Sequence, residues 1–301
     1  MDWDIKGKYC LVTGASSGIG REIALGLAKL GARVTMVCRD PSRGKAALEY
    51  VMDGSGNRAV DLMLADLSSQ GRVKELATAY RIKHNSLHVL VNNAGIIMAK
   101  RELSVDGIEM TLAVNYIAGF MLTNLLLDLL KRAAPARVVN LTSSLHKAVR
   151  LDFDNLQGEK KYGRDLIYGQ SKLADIIFTN ELARRLEGTG VTANSVCPGA
   201  VSSNIWTHAS KFVDTFFRIL MKGPAQGAVL PLYVAASADI AGVTGQYFET
   251  GQHLKWTAVK TGGTACRPSD QACDLETAKK LWQVSASLTA TDGLPRPSGS
   301  Q

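Results

Sequence analysis

The sequence has few cysteines, and none of them has the spacing of a metal site. Its 301 residues include five cysteines. This odd number without a CxxC pair favours small core residues in a reducing compartment over a disulfide framework. A disulfide between Cys266 and Cys273, which stand in a polar segment, is the minor alternative. His, Cys, Asp and Glu are nowhere grouped at ligand spacing, so we expect no metal.

Long apolar runs are absent as well. The most apolar stretch, residues 116–130, is interrupted by Asn124 and Asp128 and is too short to span a bilayer. The N-terminus begins with acidic residues and has no apolar signal-peptide core. We therefore expect a cytoplasmic protein without a transmembrane segment.

Basic runs interleaved with aromatic residues are also missing. The net charge is +8, but Lys and Arg are scattered among Asp and Glu. This pattern argues against a nucleic-acid surface, whereas a generally positive field suits a phosphorylated small molecule. With 46% apolar and 21% charged residues, the chain can bury a substantial core.

Short apolar segments alternate with amphipathic ones along most of the chain. Continuous apolar strands separated by helices are typical of βαβ units. The predicted fold class is therefore α/β, a single Rossmann-type doubly wound parallel sheet with helices on both faces. The predicted strands are residues 9–12, 34–38, 60–64, 87–91, 137–141 and 191–196, and the last of these is expected to close the series. The first predicted helix follows the glycine-rich turn and ends at Leu30. The other main helices are predicted at about residues 43–52, 69–83, 115–131 and 166–186.

No linker composition interrupts residues 5–250, so residues 1–290 are predicted to form one domain. Residues 257–288 are expected to form a polar loop and a helix. Residues 291–301, with two prolines, are expected to be a disordered tail.

Residues 202–222 are unusually rich in large apolar side chains. We expect a helical lid that covers a lipophilic substrate and excludes water. The alternatives are ordinary packing on the domain and a peripheral contact with a membrane or partner. His146 and His208 flank the expected pocket, and isolated histidines of this kind are more typical of polar surface groups than of catalysts.

A glycine-rich turn, residues 13–20, joins the first predicted strand to the first helix. Glycines let the backbone turn sharply and let a pyrophosphate approach the N–H groups at a helix N-terminus. At the first strand-to-helix junction of an alternating chain, this turn predicts a dinucleotide site.

The end of the second predicted strand distinguishes NAD from NADP. An acidic residue there would bind the ribose hydroxyls and repel a 2′-phosphate. This chain instead has Cys38 followed by Arg39, which leaves room for the phosphate and offers it a charged donor. NADP(H) is therefore expected over NAD(H), and Asp40 is expected to pair with a neighbour.

Tyr168 and Lys172 are spaced four residues apart at the start of a predicted helix, which puts them on one face. A free phenol has a pKa of about 10. A positive charge some 4 Å away is worth roughly 4 kcal/mol at an effective dielectric near 20. We therefore expect the pKa of Tyr168 to be lowered by roughly two to three units, into the range of general acid–base catalysis.

Other polar residues follow the predicted strands at the same edge of the sheet, where such sheets bind ligands. Ser143 follows strand 137–141 and could donate to a carbonyl oxygen as negative charge develops there. Asn92 ends the strand before it, Asn115 is predicted to begin the next helix, and Pro198 and Gly199 follow strand 191–196.

With these motifs in this order, the chain resembles the short-chain dehydrogenase/reductase family over residues 7 to about 250. The resemblance implies that Tyr168 is the general acid/base and that Lys172 lowers its pKa and holds the nicotinamide ribose. It implies that Ser143 orients the carbonyl and that Asn115 sustains a water-linked proton relay. Ser143 aligns with the second Ser of the family's usual pair, and Ser144 is the alternative.

The same resemblance implies where NADP(H) binds and how the chain assembles. Members often pair the helices of the Asn115 and Tyr168 type between subunits, so a homodimer or homotetramer is expected. The implied cofactor-binding residues are Gly14, Ser16, Ser17, Gly18, Ile19, Arg39, Asp66, Leu67, Asn92, Ala94, Gly95, Tyr168, Lys172, Pro198, Gly199 and Val201.

Within the family, the 24 residues between Ser143 and Tyr168 form a long connection. This insert, with residues 182–186 and 280–282, resembles the retinol dehydrogenase-like branch, whose members handle lipophilic aldehydes and alcohols. The predicted function is NADPH-dependent carbonyl reduction, or the reverse oxidation, of a lipophilic compound. The alternatives are a retinol/retinal dehydrogenase proper and a non-catalytic NADP-binding regulator, although such regulators typically lack the Tyr or the Lys.

Overall fold

The computed structural model describes residues 3–201, 222–249 and 268–290. Within these residues the chain forms a seven-stranded parallel sheet. The strand order is β3-β2-β1-β4-β5-β6-β7, and each neighbouring pair is parallel. This confirms the predicted α/β class. The strands are β1 (Tyr9–Thr13), β2 (Arg33–Cys38), β3 (Val60–Leu64), β4 (Val89–Asn92), β5 (Ala136–Leu141), β6 (Val191–Cys197) and β7 (Tyr247–Glu249).

Local capping sets several helix boundaries. The side chains of Asp40 and Ser69 accept hydrogen bonds from the backbone N–H groups of Arg43 and Arg72, which satisfies donors that a helix start leaves without partners. The helices are α1 (Gly18–Lys29), α2 (Pro41–Ser55), α3 (Gln70–Lys83), α4 (Met110–Leu112), α5 (Ala118–Leu125), α6 (Leu127–Arg132) and α7 (Arg164–Arg185), followed by Pro224–Ala236 and Leu275–Thr289.

Helices cover both faces of the sheet, as predicted. On one face α1 packs over β1 and β2, α2 packs over β2 and β3, and the helix Pro224–Ala236 packs against α1 and over β5 and β6. On the other face α3, α5, α7 and the helix Leu275–Thr289 enclose a second apolar core. Its aromatic centre is formed by Phe120, Phe178 and Trp282, whose ring centroids lie 5.1–5.8 Å apart.

The prediction that strand 191–196 closes the series is wrong. β7 extends the sheet beyond β6, with Ser195 paired to Tyr247. β7 has only three residues, too few to show a strand pattern in the sequence. The helix Pro224–Ala236, which covers β5 and β6, was also missed. Its interior Pro231 is a residue that normally argues against a helix.

The predicted helix 115–131 differs in its start and its continuity. The helical stretch begins at Met110, where the buried Glu109 carboxylate accepts from the Leu112 N–H at 2.7 Å. A π-helical turn spans Ala113–Ile117, and Leu126 separates α5 from α6. Asn115 therefore lies in the π-helical turn and does not begin the helix. A glutamate is a less common cap than Ser, Thr, Asp or Asn, which explains the late predicted start.

Several predictions fall outside the described residues. These are the lid up to residue 221, the loop over residues 257–267, His208, Cys266 and the tail 291–301. The predicted C-terminal helix is found as Leu275–Thr289. Among the described residues, no helix combines the length and apolar character needed to cross a membrane, and no cluster of His, Cys, Asp or Glu has the makings of a metal site.

Candidate active site

Tyr168 and Lys172 lie on the first half of α7, which packs closely against the segment after β5. Gly169 makes this approach possible, because a Cβ atom there would lie 2.9 Å from the Val149 side chain and 3.1 Å from the Leu145 carbonyl oxygen. Both side chains are buried, Tyr168 with 6% and Lys172 with 4% of its surface exposed. The packing thus brings the phenol into hydrogen-bonding contact with the Ser143 hydroxyl.

Burial dominates the ionisation of Tyr168. It raises the pKa of the phenol, while the Lys172 charge and the Ser143 hydrogen bond act to lower it, and the net result is a raised pKa. The predicted lowering is therefore wrong for the net value. A lowered pKa would require a solvated phenol and an unpaired Lys172 charge, whereas in the folded chain the phenol is buried and Lys172 pairs with Asp175.

Lys172 is engaged by two acceptors. Its Nζ donates to the Leu141 carbonyl oxygen at 2.8 Å and to Asp175 Oδ2 at 2.9 Å. An ammonium group has three N–H donors, so one remains for a further acceptor. The sequence reasoning missed Asp175, although its position three residues after Lys172 on a predicted helix was a usable signal.

Asp175 and Lys172 form a buried ion pair. Burial raises the pKa of Asp175 to about 6, against the lowering effect of Lys172. Burial acts to lower the pKa of Lys172, but Asp175 and, to a smaller extent, Tyr168 and Cys197 together outweigh it, and the net pKa is raised. The two groups therefore carry opposite charges from about pH 6 to beyond the usual range of a lysine.

The three consecutive hydroxyls after β5 have different environments. Thr142 Oγ1 donates to the Lys172 carbonyl oxygen at 2.7 Å and so helps to dock α7 on the sheet. Ser143 Oγ accepts from the Leu145 N–H at 3.3 Å and contacts Tyr168. Ser144 is exposed. This geometry favours Ser143 as the hydroxyl next to the phenol.

The Asn115 side chain joins two parts of the site. Its Nδ2 donates to the Ile96 carbonyl oxygen and to Ser171 Oγ, both at 3.0 Å, and its Oδ1 accepts from the Ile96 N–H at 2.7 Å. The amide thus fixes the loop after β4 against α7.

His146 is buried, so its interpretation as a surface group is wrong. Its Nδ1 lies 2.7 Å from the Ser143 carbonyl oxygen, and its ring packs edge-on against Tyr247, with 5.0 Å between the centroids. Burial lowers the pKa of the imidazole. We interpret His146 as support for the backbone of Ser143.

A chain of buried polar side chains, which the sequence did not reveal, runs beneath the site. Asn92 Nδ2 donates to Thr123 Oγ1 at 3.0 Å and to Asn140 Oδ1 at 2.8 Å. Asn140 Nδ2 donates to Thr179 Oγ1 at 2.8 Å, and that hydroxyl donates to the Asp175 carbonyl oxygen at 2.6 Å. Polar residues within apolar strands and a buried helix were the available signal.

The glycine-rich turn is locked to the loop after β4. Thr13 Oγ1 accepts from the N–H groups of Asn93 and Ala94 at 3.0 and 3.1 Å. Gly14 has φ +66°, and a Cβ atom there would lie 2.8 Å from Ala94 Cα. A residue with a side chain would therefore not fit at position 14, where the turn packs against the loop after β4. The predicted pyrophosphate and loop residues Gly14, Ser16, Ser17, Gly18, Ile19, Ala94 and Gly95 are all half-buried here.

The N-terminus of α1 fits a phosphate group. The Ser17 hydroxyl accepts from Arg43 Nη2 at 3.2 Å instead of capping the helix, and the first turn of α1 holds no acidic residue. The N–H groups and the positive end of the helix dipole favour an anion at this point. Together with the glycine-lined turn, this fits the pyrophosphate of a dinucleotide.

Two arginines stand near the end of β2. Arg39 is exposed directly after the strand. Arg43, in the first turn of α2, reaches Ser17 and acts on Cys38, whose pKa is raised to about 11 by burial against the influence of Arg43. Asp40 accepts from the Arg43 N–H at 2.8 Å, so its predicted pairing is confirmed as a helix cap. The sequence does not reveal this role of Arg43, because its contact with Ser17 depends on how α2 packs.

The remaining predicted cofactor residues lie at the same edge of the sheet. Asp66 and Leu67 follow β3 and are half-buried, and Asp66 Oδ1 accepts from the N–H and the hydroxyl of Ser68 at 3.0 and 2.8 Å. Pro198, Gly199 and Val201 follow β6, where Gly199 has φ +81° and Val201 forms a single bridge with Lys222.

The insert between Ser143 and α7 packs on the loop before α4. Gln157 Oε1 accepts from the Glu109 N–H at 3.0 Å, and Tyr162 Oη donates to the Met98 carbonyl oxygen at 3.0 Å. These hydrogen bonds hold the insert against the loop between β4 and α4.

A cavity of about 780 Å³ lies elsewhere, at the amino edge of the sheet. Its lining includes Ala136, Val191 and Gly245, which stand at or before the starts of β5, β6 and β7. Tyr168 and Ser143 stand at the opposite edge, so this cavity takes no part in their chemistry.

Comparisons with known proteins agree with this geometry. The profile of the family described as short chain dehydrogenase matches residues 8–214. Retinol dehydrogenase 11 of Homo sapiens is 40% identical over 293 residues, 97% of this chain and 87% of that protein. Retinol dehydrogenase 13 of Homo sapiens is 38% identical, covering 98% of this chain and 87% of that protein.

Solved structures give the same result. An uncharacterised protein from Mycobacterium Paratuberculosis has a TM-score of 0.75 and 29% identity over 97% of both chains. An NADP active-site complex of Pseudomonas aeruginosa RhlG has a TM-score of 0.68 and 28% identity, covering 84% of this chain and 99% of that one. The chain therefore belongs to the short chain dehydrogenase family and is an oxidoreductase of that family.

Proposed function

We propose that the protein is an NADPH-dependent carbonyl reductase, or alcohol dehydrogenase in the reverse direction, for lipophilic aldehydes and ketones. The observation that carries this proposal is the buried contact of Tyr168 with the Ser143 hydroxyl, under the influence of the Lys172 charge. A buried phenol flanked by a donor and a cation is suited to exchange a proton with a substrate oxygen.

In the direction of reduction, Tyr168 donates its phenolic proton to the oxygen of the substrate carbonyl. The Ser143 hydroxyl donates a hydrogen bond to the same oxygen and stabilises the negative charge that develops there. The bound nicotinamide supplies the hydride. Lys172 stabilises the phenolate that remains, and its third N–H donor would hold the nicotinamide ribose. A water molecule held at Asn115 would pass the replacing proton to the phenolate of Tyr168.

The two reaction directions should depend on pH in opposite ways. Reduction needs the protonated phenol, so its kcat/KM should stay level near neutrality and fall only as pH rises through the Tyr168 pKa. Oxidation needs the phenolate, so its kcat/KM should rise over the same range. Because burial raises the pKa of Tyr168, both the decrease in reduction and the increase in oxidation should occur at alkaline pH. Steady-state rates in both directions at constant ionic strength test this, and a level oxidation profile would contradict the role of Tyr168.

The preference for NADP(H) is supported by the charge around the end of β2. Arg39 follows the strand without an acidic residue at its end, and Arg43 stands close enough to reach Ser17 on the phosphate-binding turn. A 2′-phosphate in this region would meet two guanidinium groups. The related RhlG structure is described as an NADP complex.

Replacing either arginine should weaken NADPH binding selectively. Arg39→Ala and Arg43→Ala each remove a charge-assisted contact, so we expect Kd for NADPH to rise about tenfold or more. Kd for NADH should change less than about twofold. Fluorescence titration of both cofactors measures this. Arg58→Ala is the matched control, because Arg58 is exposed and paired with Asp53 in the same sequence region. Equal losses for both cofactors would contradict the NADP assignment.

The substrate class is inferred from the insert and the relatives. Two of the similar proteins carry the name retinol dehydrogenase, and residues 202–222 are rich in apolar side chains. We expect long-chain aldehydes and retinal to be reduced with a higher kcat/KM than short polar aldehydes. NADPH consumption with a graded panel of carbonyl compounds tests this. NADPH binding without turnover of any of them would favour the non-catalytic alternative.

A further inference from the structure

A buried carboxylate stands behind the catalytic pair, and the proton transfer described above does not use it. Asp175 has 6% of its surface exposed and lies 2.9 Å from Lys172 Nζ. Its backbone is fixed too, because Thr179 Oγ1 donates to its carbonyl oxygen at 2.6 Å. Burying an unpaired carboxylate costs free energy. The negative charge of Asp175 is therefore stabilised by the Lys172 ammonium that it contacts.

We infer that Asp175 is a positioning residue, which holds the Lys172 ammonium in place and keeps it charged inside the protein. The inference deepens the proposed function, because it rests on the proposed role of Lys172. A lysine with 4% of its surface exposed would tend to lose its proton, since burial disfavours the charged form. Among the described residues, Asp175 is the carboxylate that pairs with it.

The pair also fixes the direction of the ammonium group. Two of its three donors are taken by Leu141 and Asp175, one from the sheet and one from α7 itself. The third donor is then restricted to one direction. Without Asp175, the flexible side chain would keep only the carbonyl contact, and both its orientation and its charge would be less defined.

The other groups around the pair do not replace Asp175. Burial raises the pKa of Tyr168, and also that of Cys197 on β6, so both are protonated at neutral pH. Tyr116, from the π-helical turn, faces Asp175 and has a pKa raised by burial. Farther out, Tyr247 and Glu249 of β7 act on Cys197, and burial lowers the pKa of His146. None of these offers Lys172 a negative charge at contact distance.

The decisive experiment follows the ionisation of Lys172 in the full chain by NMR of lysine labelled at Cε. The signal of Lys172 is assigned by its loss in Lys172→Met. In the parent protein it should stay that of an ammonium beyond the usual lysine pKa of about 10.4. In Asp175→Asn, which keeps the shape and removes the charge, the midpoint should fall by at least about one pH unit. Asp175→Ser serves if Asp175→Asn does not fold.

Two further variants separate charge from structure. Asp175→Glu retains a carboxylate and should restore most of the parent midpoint. Asp165→Asn makes the same charge change on the same helix, but Asp165 is exposed and paired with Arg164, so it should leave the midpoint in place. A parent-like midpoint in Asp175→Asn and Asp175→Ser would overturn the inference. So would a loss in Asp175→Glu as large as that in Asp175→Asn.

Kinetics provide a second measurement. In Asp175→Asn, kcat/KM should approach the parent value at low pH, where Lys172 is charged in both proteins, and should fall at least about tenfold above the new midpoint. A uniform loss at every pH would indicate a merely structural role and contradict the inference. The NMR titration needs neither substrate nor turnover. A shifted midpoint without carbonyl reduction would therefore count against the proposed function alone.

Discussion

Tyr168→Phe should lower kcat for carbonyl reduction at least about 100-fold, because general acid–base catalysis by a positioned group typically contributes a factor of 10² to 10⁴. The ring is buried, and phenylalanine fills the same space without the hydroxyl. NADPH affinity should therefore change by less than about twofold. Single-turnover rates and cofactor titration, measured on the same preparation, check the two parts separately.

Tyr162→Phe is the matched control for this substitution. It also removes one phenolic hydroxyl that donates a hydrogen bond, in this case to the Met98 carbonyl oxygen at 3.0 Å. Tyr162 lies in the insert, away from Ser143 and Lys172, so its loss should leave kcat within about twofold of the parent value. If Tyr168→Phe and Tyr162→Phe have similar rates, another group must carry the proton.

The sequence predicted most of the sheet and the main site residues because their signals are local. Each strand up to β6 is a short apolar run, and the glycine-rich turn stands directly after the first. Tyr168 and Lys172 are linked by helix geometry alone, and the structure places both on α7, where the phenol also contacts Ser143. Such features need no knowledge of distant parts of the chain.

The features that the sequence did not predict depend on tertiary packing. The π-helical turn at Asn115 follows from the fit of this segment between the loop after β4 and Ser171 of α7. β7 is recognisable as a strand only through its pairing with β6. Arg43 reaches the cofactor turn because α2 folds back toward Ser17.

The pKa of Tyr168 also depends on tertiary packing that the sequence pattern does not show. A charge at four-residue spacing predicts a lowered pKa, because the spacing gives the attraction but not the burial. The folded chain adds desolvation of the phenol and a carboxylate that pairs with Lys172. Both oppose the predicted lowering, and neither can be read from the Tyr-x-x-x-Lys pattern. The proton affinity of the phenol is therefore a property of the whole buried cluster.

Gly20→Ala adds only one methyl group, but it should disrupt the glycine-rich turn severely. A Cβ atom on Gly20 would lie 2.3 Å from Asn93 Nδ2 and 2.5 Å from the Gly14 carbonyl oxygen. Asn93 could move only by losing its hydrogen bonds to the Thr13 and Gly14 carbonyl oxygens. Overpacking of this kind costs about 1–3 kcal/mol. We expect a lower melting temperature and a Kd for NADPH raised at least about tenfold, because the displaced backbone is where we propose that the pyrophosphate binds.

Gly71→Ala separates this effect from the general consequences of adding a methyl group to a helix. Gly71 lies in the first turn of α3, and the nearest atom to its Cβ position is Ser69 Oγ at 3.7 Å, an ordinary contact distance. Alanine favours a helix over glycine by up to about 1 kcal/mol, so this variant should be as stable as the parent or slightly more so, with unchanged NADPH affinity. Thermal unfolding with and without NADPH distinguishes the two variants. Gly71→Ala should keep the stabilisation by the cofactor, and Gly20→Ala should lose most of it. Parent-like behaviour of Gly20→Ala would mean that the turn tolerates a side chain at this position, against the close packing inferred from its contacts.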